Sequence, residues 1–188
     1  MESSFQNCLN TFKKDIDNFK SEIEKYPFVL SEPIHFKLDD DLNKKFEHIN
    51  PKSSGLYLFE INLGEMYTDI YSMNKKLVQF ANDWELIKDS TRIIKKRLDE
   101  QLKKENSSEW VYFYLGKNKD LKQRILQHIN LRKESSTHAL KLRQRANLKN
   151  VSFRVSILEI ESEDYYDFIV PYIERTLRKK YNPIIGKQ

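Results

Sequence analysis

The hydrophobic positions of this chain change period several times, and each change marks an element. From residue 3 to residue 25, Phe5, Leu9, Phe12, Ile16, Phe19 and Ile23 recur at steps of three and four, which predicts an amphipathic helix with lysines and acids on its other face. Tyr26-Pro27 ends it. Residues 28–50 are mixed, with an apolar Phe28-Val29-Leu30 and a short helix predicted around 40–48. The turn signal Asn50-Pro51-Lys52-Ser53-Ser54-Gly55 leads into a strand over 56–61. Residues 67–105 read as helical, in two pieces broken near Asn82-Asp83, with Trp84, Ile87, Ile94, Leu98 and Leu102 as spaced apolar positions. Asn106-Ser107-Ser108 closes that stretch, and a second strand over 110–115, rich in β-formers, ends at Gly116. A helix is predicted over 119–133 and another over 138–148, the latter capped by Ser135-Ser136-Thr137. Residues 151–158 alternate as a third strand, and Ser162 caps a last helical region running to Tyr181, which Pro171 is expected to kink or restart.

Composition narrows the class. With 188 residues the chain has room for one domain with a substantial core, and four Gly and five Pro leave little for long linkers. An aromatic content of 12% argues against disorder. Cys8 is the sole cysteine, which excludes an internal disulfide framework and a cysteine-rich zinc site and suits a reducing, cytoplasmic setting. The N-terminal residues lack the pattern of a signal peptide, and no apolar run has membrane-spanning length. The net charge is +5, but eleven Lys or Arg against two acids between Lys117 and Arg154 give that segment +9 and leave −4 elsewhere. Such a block, with Lys117, Lys119, Lys122, Lys141, Arg143 and Arg145 as its candidate contacts, is either a solvated helical surface or the footprint of a polyanion binder.

Several polar residues stand out against this frame. In the helix after Gly116, Leu121, Ile125 and Ile129 form the buried stripe, and Arg124 and His128, four apart, share a face beside it. A guanidinium there can grip phosphate oxygens, and an imidazole can move a proton near neutral pH. In the last helix Ile169, Ile173, Leu177 and Tyr181 form the stripe and Glu174 sits at its edge. A carboxylate so placed is usually an ion-pair partner, here with Arg175 or Arg178 in reach, and it can also be a hard oxygen ligand for Mg²⁺. Tyr57 and Tyr114 lie at strand positions where tyrosine commonly serves packing, and Asn182-Pro183 alone is a helix stop.

Taken in order, these residues resemble the GIY-YIG nuclease family. Gly55-Leu56-Tyr57 is similar to its first motif and Tyr114-Leu115-Gly116 to its second; Leu121, Arg124 and His128 match the helix that follows, and Glu174 with Asn182-Pro183 resembles the closing carboxylate and asparagine. The resemblance implies an α+β fold with a small three-stranded antiparallel or mixed sheet flanked by helices and the site on one sheet face. It divides the chain into an N-terminal helical extension over 1–50 and a nuclease-like domain over 51–188. It implies metal-dependent hydrolysis of DNA phosphodiester bonds with one Mg²⁺ or Mn²⁺. Tyr57 would then activate water and His128 would accept its proton. Arg124 and Tyr114 would bind the scissile phosphate, Glu174 would hold the metal, and Asn182 would orient the site.

The chain departs from the family pattern in three places. Leu replaces Ile in both motifs, Asn118 stands where a small hydroxyl residue is usual, and 57 positions separate Tyr57 from Tyr114. The helical stretch over 67–105 must therefore be an insertion between paired strands, which resembles the restriction-endonuclease branch and points to double-stranded DNA as partner. Cutting both strands asks for two visits or a homodimer. A non-cleaving nucleic-acid-binding protein on the same scaffold is the alternative expectation.

Overall fold

A computed structural model describes residues 4–87, 91–104, 108–132, 134–161 and 164–186. Its centre is β2 (Gly55–Asn62), in which every residue is buried. β2 is flanked by β4 (Trp110–Asn118) on one side and β5 (Phe153–Glu159) on the other, both antiparallel to it. These are the three strands expected from the sequence, but the sheet does not stop there. β1 (Ile34–Phe36) pairs with β5, β6 (Ile185–Gly186) pairs parallel with β4 at Tyr114, and β3 (Arg92–Ile93) pairs with β6, giving a six-stranded mixed sheet in the order β1-β5-β2-β4-β6-β3. The expected three-stranded sheet is thus corrected to six strands in an α+β fold. The added strands are two or three residues long, too short to show a period of two.

Alternation along β2 assigns its two faces. Tyr57, Phe59 and Ile61 join the cluster formed with Leu121, Ile125 and Ile129 of α6 (Leu121–Asn130). Leu56 and Leu58, with Leu115 of β4, pack against Val170, Ile173 and Leu177 of α7 (Tyr166–Tyr181). Each such fully buried aliphatic side chain contributes about 1.5–3 kcal/mol, so both helices are anchored firmly. A register shift opposite Phe59 and Glu60 puts one extra residue into β4. Phe113 and Tyr114 consequently both lie on the α6 side of the sheet, against the larger core cluster.

The insertion between β2 and β4 contains α3 (Leu63–Met66), α4 (Met73–Leu86), β3 and α5 (Lys95–Leu102). The break falls after Leu86 rather than near Asn82-Asp83. Asp83 is held inside α4 by the Tyr67 hydroxyl (2.6 Å) and the Gln79 amide (2.8 Å), and Trp84 is buried against Phe113, ring centroids 5.2 Å apart. The N-terminal helix α1 (Ser4–Lys25) ends where expected; its C-terminal half docks on α7 through Phe19, stacked on Phe168 at 5.6 Å, whereas Phe5, Leu9 and Phe12 are exposed. The short helix expected near 40–48 is α2 (Leu42–Lys45), capped by Asp41.

Three further expectations are corrected. β4 continues past Gly116 to Asn118, and the helix after it spans only Leu121–Asn130. The helix expected over 138–148 is two 3₁₀ turns, Leu142–Gln144 and Ala146–Leu148, preceded by Lys141 in the left-handed region (φ 51). α7 passes through Pro171 without interruption, fixed on both sides of it by buried Val170 and Ile173. Ser3, Asn106, Ser107, Lys133 and Ser162, which bore on expected element ends, lie outside the described residues. No helix among the described residues is long and apolar enough to cross a membrane.

The entry to β2 requires glycine. Gly55 has φ +149, and a Cβ there would stand 2.0 Å from the Leu158 carbonyl oxygen of β5. Gly55→Ala is expected to lower stability by at least about 1–3 kcal/mol, read as a lower urea midpoint at unchanged m-value.

Candidate active site

Because β2 is covered on both faces, the Tyr57 side chain is 1% exposed and its hydroxyl must find a partner inside the protein. Leaving it unpaired would cost about 1–3 kcal/mol. The partner is His128 of α6, whose Nε2 lies 2.7 Å from the Tyr57 oxygen. The Leu140 backbone N–H donates to His128 Nδ1 at 3.0 Å. That contact decides the tautomer: Nδ1 carries a lone pair, so the neutral ring bears its proton on Nε2 and donates to Tyr57. Burial, and after it the nearby Arg124 charge, hold the imidazole well below its usual range, so the ring is neutral at pH 7.

Tyr114 and Arg124 complete a group on this face. The Tyr57 and Tyr114 ring centroids are 6.2 Å apart and Tyr114 is 4.9 Å from His128. Burial raises the Tyr57 hydroxyl well above its ordinary range, Tyr114 raises it further, and the Arg124 guanidinium opposes the rise. Burial likewise raises Tyr114, against the pull of Arg124 and Arg178. Arg124 is held in place by its own bonds to the Gln127 side chain (3.0 Å) and the His138 carbonyl (2.5 Å). Three neutral rings and one guanidinium therefore share a buried cluster in which Arg124 alone offsets the cost of negative charge on the phenols.

Glu174 and Asn182 come from α7, on the opposite face of the sheet, so the site is not confined to one face. Glu174 reaches the site past β4, where its Oε1 takes the Arg178 Nη2 (2.5 Å) and its Oε2 faces Lys117 at 3.7 Å. The charges of Arg178 and Glu174 both act on Tyr114, which makes that ring the link between the two faces. Asn182 caps α7 in the left-handed region, with its Nδ2 on the Arg97 carbonyl (3.3 Å) and its own carbonyl taking Gln101 Nε2 (2.8 Å). Its side chain ties α7 to α5. Beside Glu174 a groove of about 540 Å³ opens between α5 and α7, lined by Lys96, Arg97, Glu174, Arg175, Arg178 and Asn182 among others. Of these, Lys96 and Arg97 carry no signal in the sequence, because the insertion shows no motif; of the two partners expected for Glu174, Arg178, its i+4 neighbour, makes the ion pair.

The basic stretch separates into two groups. Lys117 and Lys119 are at the surface, near Glu174 and paired with Asp167 (2.7 Å) respectively, and Lys122 is half-buried. Lys141 and Arg145 are buried: Lys141 donates to the Ser135 carbonyl (3.0 Å), and the Arg145 guanidinium lies 3.4 Å over the Trp84 ring. Arg143 is bonded to the Leu38 and Asp40 carbonyls (2.7 and 3.2 Å). These three residues hold the 138–148 segment onto the core.

Among the described residues no group of three or more His, Cys, Asp or Glu comes together. A single hard cation would find one carboxylate here, that of Glu174, whose two oxygens already face Arg178 and Lys117. Glu174 offers a carboxylate, 15% exposed, at the wall of an open groove, and Mg²⁺ commonly takes one or two carboxylates with water and phosphate as its remaining ligands. Comparison of the chain with family models, curated proteins and solved structures gives no match.

Two outcomes follow from this geometry. A Cβ on Gly116 would stand 2.3 Å from the Tyr57 hydroxyl oxygen and 2.9 Å from the Tyr114 ring. Gly116→Ala is therefore expected to cost about 1–3 kcal/mol in urea unfolding and to break the Tyr57–His128 contact. The second concerns pH. His128 is neutral when folded and protonates below about pH 6.5 when unfolded, so the unfolded state binds more protons and stability falls as pH falls through that value. Between pH 7.5 and 5.5 the loss from this one proton is up to about 1.4 kcal/mol, and His128→Gln should remove that part of the slope in paired urea titrations.

Proposed function

We propose that this chain is a GIY-YIG-type endonuclease of the restriction kind, hydrolysing phosphodiester bonds of double-stranded DNA. The observation that carries this reading is the convergence of Tyr57, Tyr114, Arg124 and His128, drawn from two strands and a helix, around a buried hydrogen bond between residues 71 apart in the chain. Packing alone does not call for a histidine, a guanidinium and two phenols together in a core.

In the proposed reaction a water oxygen attacks the phosphorus and the bond to the leaving oxygen breaks. Tyr57 must first give its own proton to solvent; the phenolate so formed takes the water's proton, and the leaving oxygen takes a proton from solvent. His128 supports that phenolate by donating its Nε2–H; with Nδ1 occupied by the Leu140 N–H, it acts as donor to Tyr57 rather than as acceptor of its proton. Arg124 binds the phosphate oxygens and opposes the rise in the Tyr57 pKa. Tyr114 donates to the same phosphate, and Asn182 positions α7 and hence Glu174. Glu174 would hold Mg²⁺ or Mn²⁺, which supplies Lewis-acid polarisation of the phosphate.

One observation favours the alternative, a non-cleaving nucleic-acid binder: the carboxylate of Glu174 is already engaged by Arg178 and Lys117. Incubation of plasmid and RNA with Mg²⁺, Mn²⁺ or EDTA separates the two. The expected result is metal-dependent nicking or linearisation of DNA, lost by at least about 10²-fold in Tyr57→Phe and in Glu174→Ala, with both variants folded by circular dichroism. Full activity in Tyr57→Phe would remove the assigned base, and tight binding without cleavage under every metal would establish the binder.

A further inference from the structure

The charged stretch over 117–154 offers a polyanion fewer cations than its count suggests, although Lys119, Arg132 and Lys149 are exposed. Lys141, Arg143 and Arg145 are taken up by internal contacts. The groove between α5 and α7 carries Lys96, Arg97, Arg175, Arg178 and Lys179 against Glu100 and Glu174. Of these cations Arg178 is matched by Glu174 and Lys179 by Glu24. Lys96, Arg97 and Arg175 have no salt bridge among the described residues. Arg97 is half-buried and its Nη1 is fixed by the Pro183 carbonyl at 3.1 Å, so its guanidinium is held in one place before any ligand arrives. The Arg97 and Arg178 charges repel each other, and burial disfavours the charge on Arg97 as well. An anion between them would relieve both costs.

We propose that α5 of the insertion and the C-terminal half of α7 are the two walls of a channel for a phosphodiester backbone, with Arg97 and Arg175 as phosphate contacts. The proposal rests on the nuclease reading and extends it: the insertion does not merely tolerate the site but delivers one strand of the nucleic acid to Glu174. Asn182 lines the channel, and the chain after it enters β6, which pairs with β4 at Tyr114. The fork of Arg97 suits bidentate contact with phosphate oxygens.

The test is fluorescence anisotropy of a fluorescein-labelled DNA duplex with the full chain in EDTA, titrated with KCl. Arg175→Ala, whose side chain makes no backbone hydrogen bond, is expected to lower the slope of log affinity against log salt by about 1, and Arg97→Ala with Arg175→Ala by about 2. Lys149→Ala, an exposed cation of the 117–154 stretch outside the channel, should leave the slope unchanged. If the parent protein binds or cuts DNA but Arg175→Ala and the double variant keep the parent slope, the channel is overturned and the nuclease reading stands. If the parent binds no nucleic acid at any salt, both fail.

Discussion

A strand covered along both faces cannot hold an unpartnered hydroxyl without a penalty of kilocalories, and Tyr57 sits in the middle of such a strand. That constraint organises the rest. The hydroxyl needs a polar group from whatever element covers it, and α6 supplies His128. The imidazole in turn is fully enclosed, where an unpaired charge would cost several kilocalories, so it must be neutral and satisfied at its other nitrogen. The Leu140 N–H meets that need. To offer this N–H, the chain after α6 leaves helical geometry, and Lys141 enters the left-handed region directly after Leu140. One buried phenol thus fixes a helix, a tautomer and the backbone path of a segment more than 80 positions away.

The same chain of needs explains what the sequence disclosed and what it hid. α1, α6 and β5 were legible because apolar residues recur at a period along each, and β2 and β4 because a turn signal or a run of β-formers marks them. β2 was legible as a strand but not as the sheet's centre, since burial on both faces depends on elements far along the chain. The 138–148 segment was misread because its capping residues and spaced leucines suit a helix; nothing local signals that Leu140 gives its N–H to a histidine. Asp83 was taken for a helix breaker, but Tyr67 and Gln79 bond it in place. Pro171 was given too much weight, because packing of α7 on Leu56, Leu58 and Leu115 outweighs one lost backbone bond.

Charge was the least transferable signal. A count along the chain places the excess in 117–154, yet two of its cations are buried and a third is bonded to backbone carbonyls. A second group of cations forms in the groove between a helix of the insertion and the last helix, which are about 80 positions apart. The insertion, the main departure from the family pattern, is thereby brought to the wall of the candidate site through β3, β6 and the bond from Gln101 to Asn182.

The resting state of the buried tyrosine cluster has its own logic. Burial raises both phenols and lowers the imidazole, so all three are neutral and chemically quiet at pH 7, and Arg124 is the one charge acting on them all. A phenol in that state is a poor base. What would lower its pKa is more positive potential, yet an arriving phosphate brings the opposite sign and on its own would raise it further. Arg124 cannot serve both the phosphate and the phenolate at full strength. A second cation beside Glu174 would resolve the conflict, and so would release of Arg178 or Lys117 from Glu174 toward the ligand. Either change would act through the Glu174 ion pairs, which stand at the wall of the α5–α7 groove.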